Sequence, residues 1–220
     1  MCTKADLNKL RIFYSNLKSM GLSYFIPIII IFFYIPVMLY LFYLNGNNDI
    51  EYAKYSIFAE MQRIIPFFSI WWLIFALREY IEGKSRELLK VYKKLLMFDS
   101  SVIFIWYVLH ITLIILIMSI IFGDNLFVML VLLVIQSSAF YSVAFLLMVI
   151  CKTISVPLLT ATVYEIVYMY MDVNFANLNI VYRDNIGSIS NILIPYGAIL
   201  IVSIFLFCVG NLIYKYRQIY

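Results

Sequence analysis

Apolar runs almost free of charge alternate with short polar breaks along all 220 residues of the chain. Their length is what matters: at about 1.5 Å per residue, about 20 residues cross a hydrocarbon layer of roughly 30 Å. Six runs, at about 22–44, 61–77, 102–122, 126–150, 154–171 and 192–213, predict six transmembrane helices. The first, Leu22 to Leu44, is clean. The second has Arg63 at its outer edge, the third is interrupted only by His110, and the fifth contains Glu165. No remaining segment is large enough for a soluble domain, so residues 1–220 read as a single transmembrane domain and the chain as an all-α membrane protein.

Polar patterning adds two shorter helices outside the spans. Near the N-terminus, Leu7, Leu10, Phe13 or Tyr14, and Leu17 form an apolar stripe opposite Lys4, Lys9, Arg11 and Lys18, which predicts an amphipathic helix along the membrane surface. After Gly83, Leu88, Val91, Tyr92 and Leu95 fall at i, i+3, i+4 and i+7, one stripe of a charged helix between spans two and three. A basic helix resting on anionic lipid explains that pattern without further function. Pro27, Pro66, Pro157 and Pro195 read as first-turn prolines, where a missing N–H does no harm. Pro36 lies mid-span and predicts a kink.

Composition agrees with a lipid-embedded chain, because 65% of residues are hydrophobic against about 45–50% in soluble domains. Charge sets the expected orientation. Thirteen of sixteen basic residues fall on the side shared by both termini: Lys4, Lys9, Arg11, Lys18, Arg78, Lys84, Arg86, Lys90, Lys93, Lys94, Lys152, Lys215 and Arg217. Only Lys54, Arg63 and Arg183 fall opposite. Cytoplasmic loops retain Lys and Arg, so both termini are expected in the cytoplasm. Cys2, Cys151 and Cys208 then lie near the reducing side, where they read as small buried hydrophobes rather than a disulfide. With one histidine and no paired Cys/His spacing, no metal site is expected. The first run is too long for the apolar part of a cleaved signal and reads as an uncleaved anchor. The outer loops, Asn45 to Glu60 and Asp172 to Ser190, are Asn-rich turns.

Within the spans the polar residues to weigh are His110, Gln136 and Glu165, because burying such groups in lipid is costly and they usually face protein or a cavity. Their depths permit a His110 to Glu165 contact. A proton-linked or substrate-contacting pair is one role, and a polar bond that fixes helix packing is the simpler one. Tyr164 and Tyr168 share a helical face beside Glu165 and extend this candidate translocation path, although ordinary packing also explains them. Many other aromatics, including Tyr24, Tyr40, Tyr43, Trp71, Trp72, Trp106 and Tyr107, read as interfacial anchors.

Catalytic motifs are missing: there is no phosphate-cradling G-x-x-x-x-G-K-[ST] loop, no G-x-S-x-G and no H-E-x-x-H. The chain is not expected to be an enzyme, and energy for transport must come from a gradient or a partner. The stretch from Glu79 or Glu82 through Gly83, Ser85, Glu87, Leu88 and Leu89 resembles the E-x-x-G-T-x-E-x-L-L region of ABC-2 type ABC transporter permeases. The proline that often follows the Leu pair is replaced here by Val91 and Tyr92 nearby.

The resemblance implies that residues Glu79 to Tyr92 form the coupling helix that docks on a cytoplasmic ATPase subunit. It further implies a second permease subunit, the same or different, and ATP with Mg held by the partner ATPase rather than by this chain. Its amphipathic start would act as a gate beside that ATPase. Small permeases of this kind, with scant outer loops, export or confer immunity to lantibiotics, bacteriocins or other membrane-active peptides in the bacterial cell membrane. Membrane lipid is the other expected partner, and nucleic acid is not. A gradient-driven transporter coupled through Glu165 and His110 is the alternative from a different class.

Overall fold

The computed structural model describes residues 20–83, 96–170 and 189–216, together with residues 14, 17 and 18. Every regular element among them is helical, and five helices are long and apolar enough to cross a membrane. We label the helices α1 (Gly21–Asn45), α2 (Ile50–Ile81), α3 (Leu96–Phe122), α4 (Phe127–Cys151), α5 (Ser155–Tyr170) and α6 (Ile189–Tyr216). The five are all of these except α5, whose 16 residues reach only about 24 Å. The predicted fifth run, 154–171, is helical over its described residues, Ser155–Tyr170.

α1 is a helix of changing pitch. A 3-10 turn over Gly21–Tyr24 passes into an α turn, then into a π turn over Ile30–Tyr34, and α geometry resumes at Ile35. The wide turn ends just before Pro36, whose ring would otherwise meet the carbonyl four residues earlier. The expected disturbance at Pro36 is thus taken up as a π turn. α1 and α2 are joined by Gly46 to Asp49, with Asn47 and Asn48 in the left-handed conformation that Asn tolerates. Asp49 caps α2 by accepting the Glu51 N–H at 2.9 Å.

Several sequence expectations change here. The outer loop expected over Asn45 to Glu60 is mostly the first turns of α2, because Asp49 starts the helix at Ile50. Pro66 lies inside α2 rather than in its first turn, and Pro195 lies in the second turn of α6 because that helix begins at Ile189. Trp72 and Tyr107 are fully buried in the core and are not interfacial anchors. Cys151 and Cys208 are exposed on this chain rather than buried.

Four cross-helix contacts set the register of α2 and α4, and all four join residues at nearly constant separation. Lys54 pairs with Asp124 just before α4, Gln62 with Gln136, Ser69 with the Ser137 carbonyl, and Glu82 with the Ile154 N–H just after it, at separations of 70, 74, 68 and 72 residues. A constant separation means two parallel helices in step along their whole length. α1 runs antiparallel to α2 and is pinned by Tyr34 to Glu60 and by the Trp71 and Trp72 indoles, which donate to the Ser23 and Tyr24 carbonyls at 3.0 and 2.9 Å. α3 packs on α2 through the Tyr107 hydroxyl, which donates to the Ile65 carbonyl, and through Tyr80 to Asp99 at 3.1 Å. α6 covers α4, with Phe207 against Tyr141 and Phe145. Gly210 sits against Phe145, where a side chain would be crowded. Leucines, isoleucines and phenylalanines such as Phe33, Leu113, Ile120, Ile201 and Phe205 are exposed outward, as lipid-facing residues are.

Candidate functional site

The parallel register fixes depth. Gln136 stands nine residues from the first residue of α4 and fifteen from the last, well inside the layer. Its Nε2 donates to Gln62 Oε1 at 3.3 Å, so Gln62 on α2 lies at that same depth. Arg63 is the next residue and Glu60 precedes it by two. The helix does not begin near Arg63, where the sequence sets the outer edge of the second span: α2 continues outward to Ile50, and its Lys54 is level with the α3–α4 turn.

Around Arg63 the charges cluster. Its guanidinium lies 3.9 Å from Glu60 Oε2, and Glu60 Oε1 accepts the Tyr34 hydroxyl at 2.9 Å. Glu165 on α5 is close enough to feel both Arg63 and Glu60. Its Oε1 is closed off and has no hydrogen-bond partner among the described residues. The Arg63 side chain is 44% exposed on this chain. A charge at the bilayer centre costs about 2.5–3.5 kcal/mol even on the most lenient insertion scale, so that face of α2 is not built to meet lipid.

Beside the charges lies an apolar cleft with about 120 Å³ of free volume between α2, α4 and α5, bounded by Ile70, Phe140, Ala144, Pro157, Ala161 and Tyr164. Helical spacing shows how the two regions join. Arg63 is seven residues from Ile70, Gln136 is four from Phe140, and Glu165 is four from Ala161, so each polar residue continues the stripe of a cleft residue at the outer end. Small side chains at Ala139, Ala144 and Ala161 leave the space, and Pro157 fixes the first turn of α5 below it. The result is an apolar cleft whose lining is free of charge, with the polar residues one to two helical turns farther along the same helices.

Of the path residues expected from sequence, Tyr164 lines this cleft, while Gln136 and Glu165 lie one helical turn beyond its residues Phe140 and Ala161. Tyr168 continues the same helical turn of α5, and its side chain lies outside the described residues. His110 is elsewhere. Its ring is edge-on to Trp72, Trp106 and Phe32 at centroid distances of 5.0, 5.1 and 6.1 Å, and its Nδ1 lies 2.9 Å from the Trp106 carbonyl. A carbonyl only accepts, so Nδ1 carries the proton. His110 and Glu165 thus have separate surroundings, one aromatic and formed by α1, α2 and α3, the other charged and formed by α2 and α5.

The coupling residues divide likewise. Glu79, Glu82 and Gly83 end α2, and a side chain at Gly83 would collide with Glu79. Glu82 accepts the Ile154 N–H at 2.7 Å, placing its carboxylate at the N-terminus of α5, where a negative charge is favoured. Ser85, Glu87, Leu88, Leu89, Val91 and Tyr92 lie outside the described residues, as does most of the amphipathic N-terminal stripe.

Sequence reading missed Glu60 and Gln62. The available signal was charge and amide at 60, 62 and 63 inside one long helical window, which the expected loop concealed. No protein-family model, curated protein or solved structure matches this chain. Among the described residues, no group of His, Cys, Asp and Glu is arranged to hold a metal ion.

Proposed function

We propose that this chain is the membrane-spanning subunit of an exporter for hydrophobic or amphipathic substrates, antimicrobial or toxic peptides among them. The carrying observation is the half-exposed Arg63 beside Glu60, two helical turns from an apolar cleft and inside a helix long and apolar enough to cross a membrane. Charges so placed face a water-filled path or a second subunit, because lipid would not accept them. In this reading six helices cross the bacterial cell membrane with both termini cytoplasmic.

Energy is supplied in trans, as the resemblance to ABC-2 type permeases around Gly83 to Leu89 implies. ATP-binding subunits would press on the segment after Gly83, with a second permease subunit alongside. The Glu82 bond to Ile154 supports such a route, since it links the end of α2 to the start of the helix that bears Glu165. A gradient-driven transporter is the second reading, favoured by the Glu165 carboxylate, one oxygen of which has no hydrogen-bond partner among the described residues.

Transport into inverted membrane vesicles separates the two. Uptake driven by ATP, lost together with co-purification of the ATP-binding subunit in Glu87→Arg and Leu88→Asp, supports the first reading. Uptake that needs only an imposed proton gradient, with both variants fully active, refutes it in favour of the second.

A further inference from the structure

The apolar cleft between α2, α4 and α5 occupies a defined depth. α4 and α5 run antiparallel, with Phe140 edge-on to Tyr164 at 5.2 Å and both Leu147 and Pro157 nearer the turn that joins the two helices. Phe140 stands thirteen residues from the first residue of α4 and eleven from the last, close to mid-depth. From Ala139 to Leu147 the lining covers eight residues, about 12 Å, against roughly 30 Å for a whole hydrocarbon layer. The cleft therefore runs through one leaflet and stops near the midplane.

Its mouth opens sideways. Val143 on α4 and Thr160 on α5 both line the cleft and are both exposed, and Leu159 and Val163 carry the exposed apolar face along α5. The cleft is thus continuous with the surface that meets lipid. Its lining presents no polar surface, and the Thr160 hydroxyl is turned back to the Val156 carbonyl at 2.9 Å. Water needs polar partners, and an apolar cavity of about 150 Å³ stays dry and takes a hydrocarbon instead. A helix with its side chains is about 10–12 Å across, too wide for about 120 Å³ of free volume.

We propose that the cleft holds one acyl chain of a membrane lipid. The methyl end lies beside Phe140 and Tyr164 at mid-depth, and the carboxyl end leaves past Leu147 and Pro157. The chain fills the space left by Ala139, Ala144 and Ala161, and so completes the packing of α5 against α2 and α4. This site goes beyond the exporter reading and does not depend on it.

The chain in nanodiscs is irradiated with either of two phosphatidylcholine probes, one with a diazirine at the methyl end of an acyl chain and one with it next to the carboxyl group. Adducts are located by peptide mass spectrometry. Ile204 and Phe205 on α6 serve as controls, because they are exposed and Phe207 beside them packs on Tyr141 and Phe145 at the depth of the cleft. The methyl-end probe is expected to label Phe140 and Val143 at least about fivefold more than these controls. The carboxyl-end probe should favour Leu147 and Pro157. Ala144→Phe and Ala161→Phe, which fill the cleft from different helices, should each bring cleft labelling down to the control level and leave Ile204 and Phe205 labelled as before.

Cleft labelling no stronger than that of the controls in wild-type protein would overturn the proposal, since a second subunit or the chain's own side chains would then fill the space. So would equal labelling of Phe140 and Leu147 by the two probes, which would mean that no chain is held at a fixed depth. Both of these outcomes are read from wild-type protein and stand whether or not the variants fold. No ATPase subunit takes part, so failure here leaves ATP-dependent transport standing, and failure of ATP coupling leaves the lipid site standing.

Discussion

Gln62→Leu and Gln136→Leu, made singly and together, test the register on which the candidate site depends. Both amides are essentially sealed from the surroundings, at 1% and 0% exposure, and they share a hydrogen bond of 3.3 Å. Replacing one leaves the other amide in an apolar interior with a bond missing, at a cost of about 1–3 kcal/mol. The bond itself is worth less, about 0.6 kcal/mol on average between membrane helices, and its length here places it at the weak end. Each single variant should therefore lose about 1–2 kcal/mol. The double variant buries two leucines where two amides had to be satisfied, and should recover most of the loss. Unfolding in mixed micelles of rising dodecyl sulfate content, followed by circular dichroism, gives the free energies. The expected coupling is about 1 kcal/mol or more, with the double variant more stable than the worse single. Independent sites add within about 0.3–0.5 kcal/mol. Additivity at that level would refute the reasoning: the two side chains would not meet, and Arg63 would no longer be tied to the depth of Gln136.

Two further outcomes are expected. Glu82→Ala removes the carboxylate that accepts the Ile154 N–H, so amide exchange at the start of α5 should quicken by about fivefold or more, the scale of a lost helix cap; unchanged exchange there would mean that the end of α2 does not hold α5. A cysteine placed at Asn47 or Asn179 should react with an impermeant reagent in intact cells while one at Ser85 stays protected, and the reverse pattern would invert the orientation expected from the basic residues.

Much of the site was hidden from a linear reading for a specific reason. Glu165, Gln136 and Tyr164 stood out because a polar or aromatic residue in a charge-poor run is conspicuous. Glu60 did not, because a run scored by its lack of charge ends where charge begins, and Gln62 stood at the very edge of that run, whereas α2 continues as a helix through Lys54, Glu60 and Arg63. The polar groups are tolerated there because Tyr34 from α1 meets Glu60, Asp124 from the α3–α4 turn meets Lys54, and Gln136 from α4 meets Gln62. Those partners are 26, 70 and 74 residues away from the groups they satisfy. The same limit applies to aromatics. Trp72 and Tyr107 look like interfacial residues by type, yet their polar atoms find carbonyls inside the bundle and their rings pack together at 5.6 Å.

What the sequence determined by itself is the class of solvent and the kind of element. Apolar runs of this length leave the backbone no partner in lipid except its own helix, so all-helical structure follows from composition and spacing alone. Azimuth and depth were decided only in three dimensions. A helix presents the same residues to lipid, to water or to a neighbour depending on its rotation, and hydrophobicity along the chain carries little information about that angle when nearly every face is apolar. The in-step pairing of α2 with α4 settled it, setting Gln62 and its neighbours Glu60 and Arg63 at the depth of Gln136, while His110 lies among aromatic rings of α2 and α3.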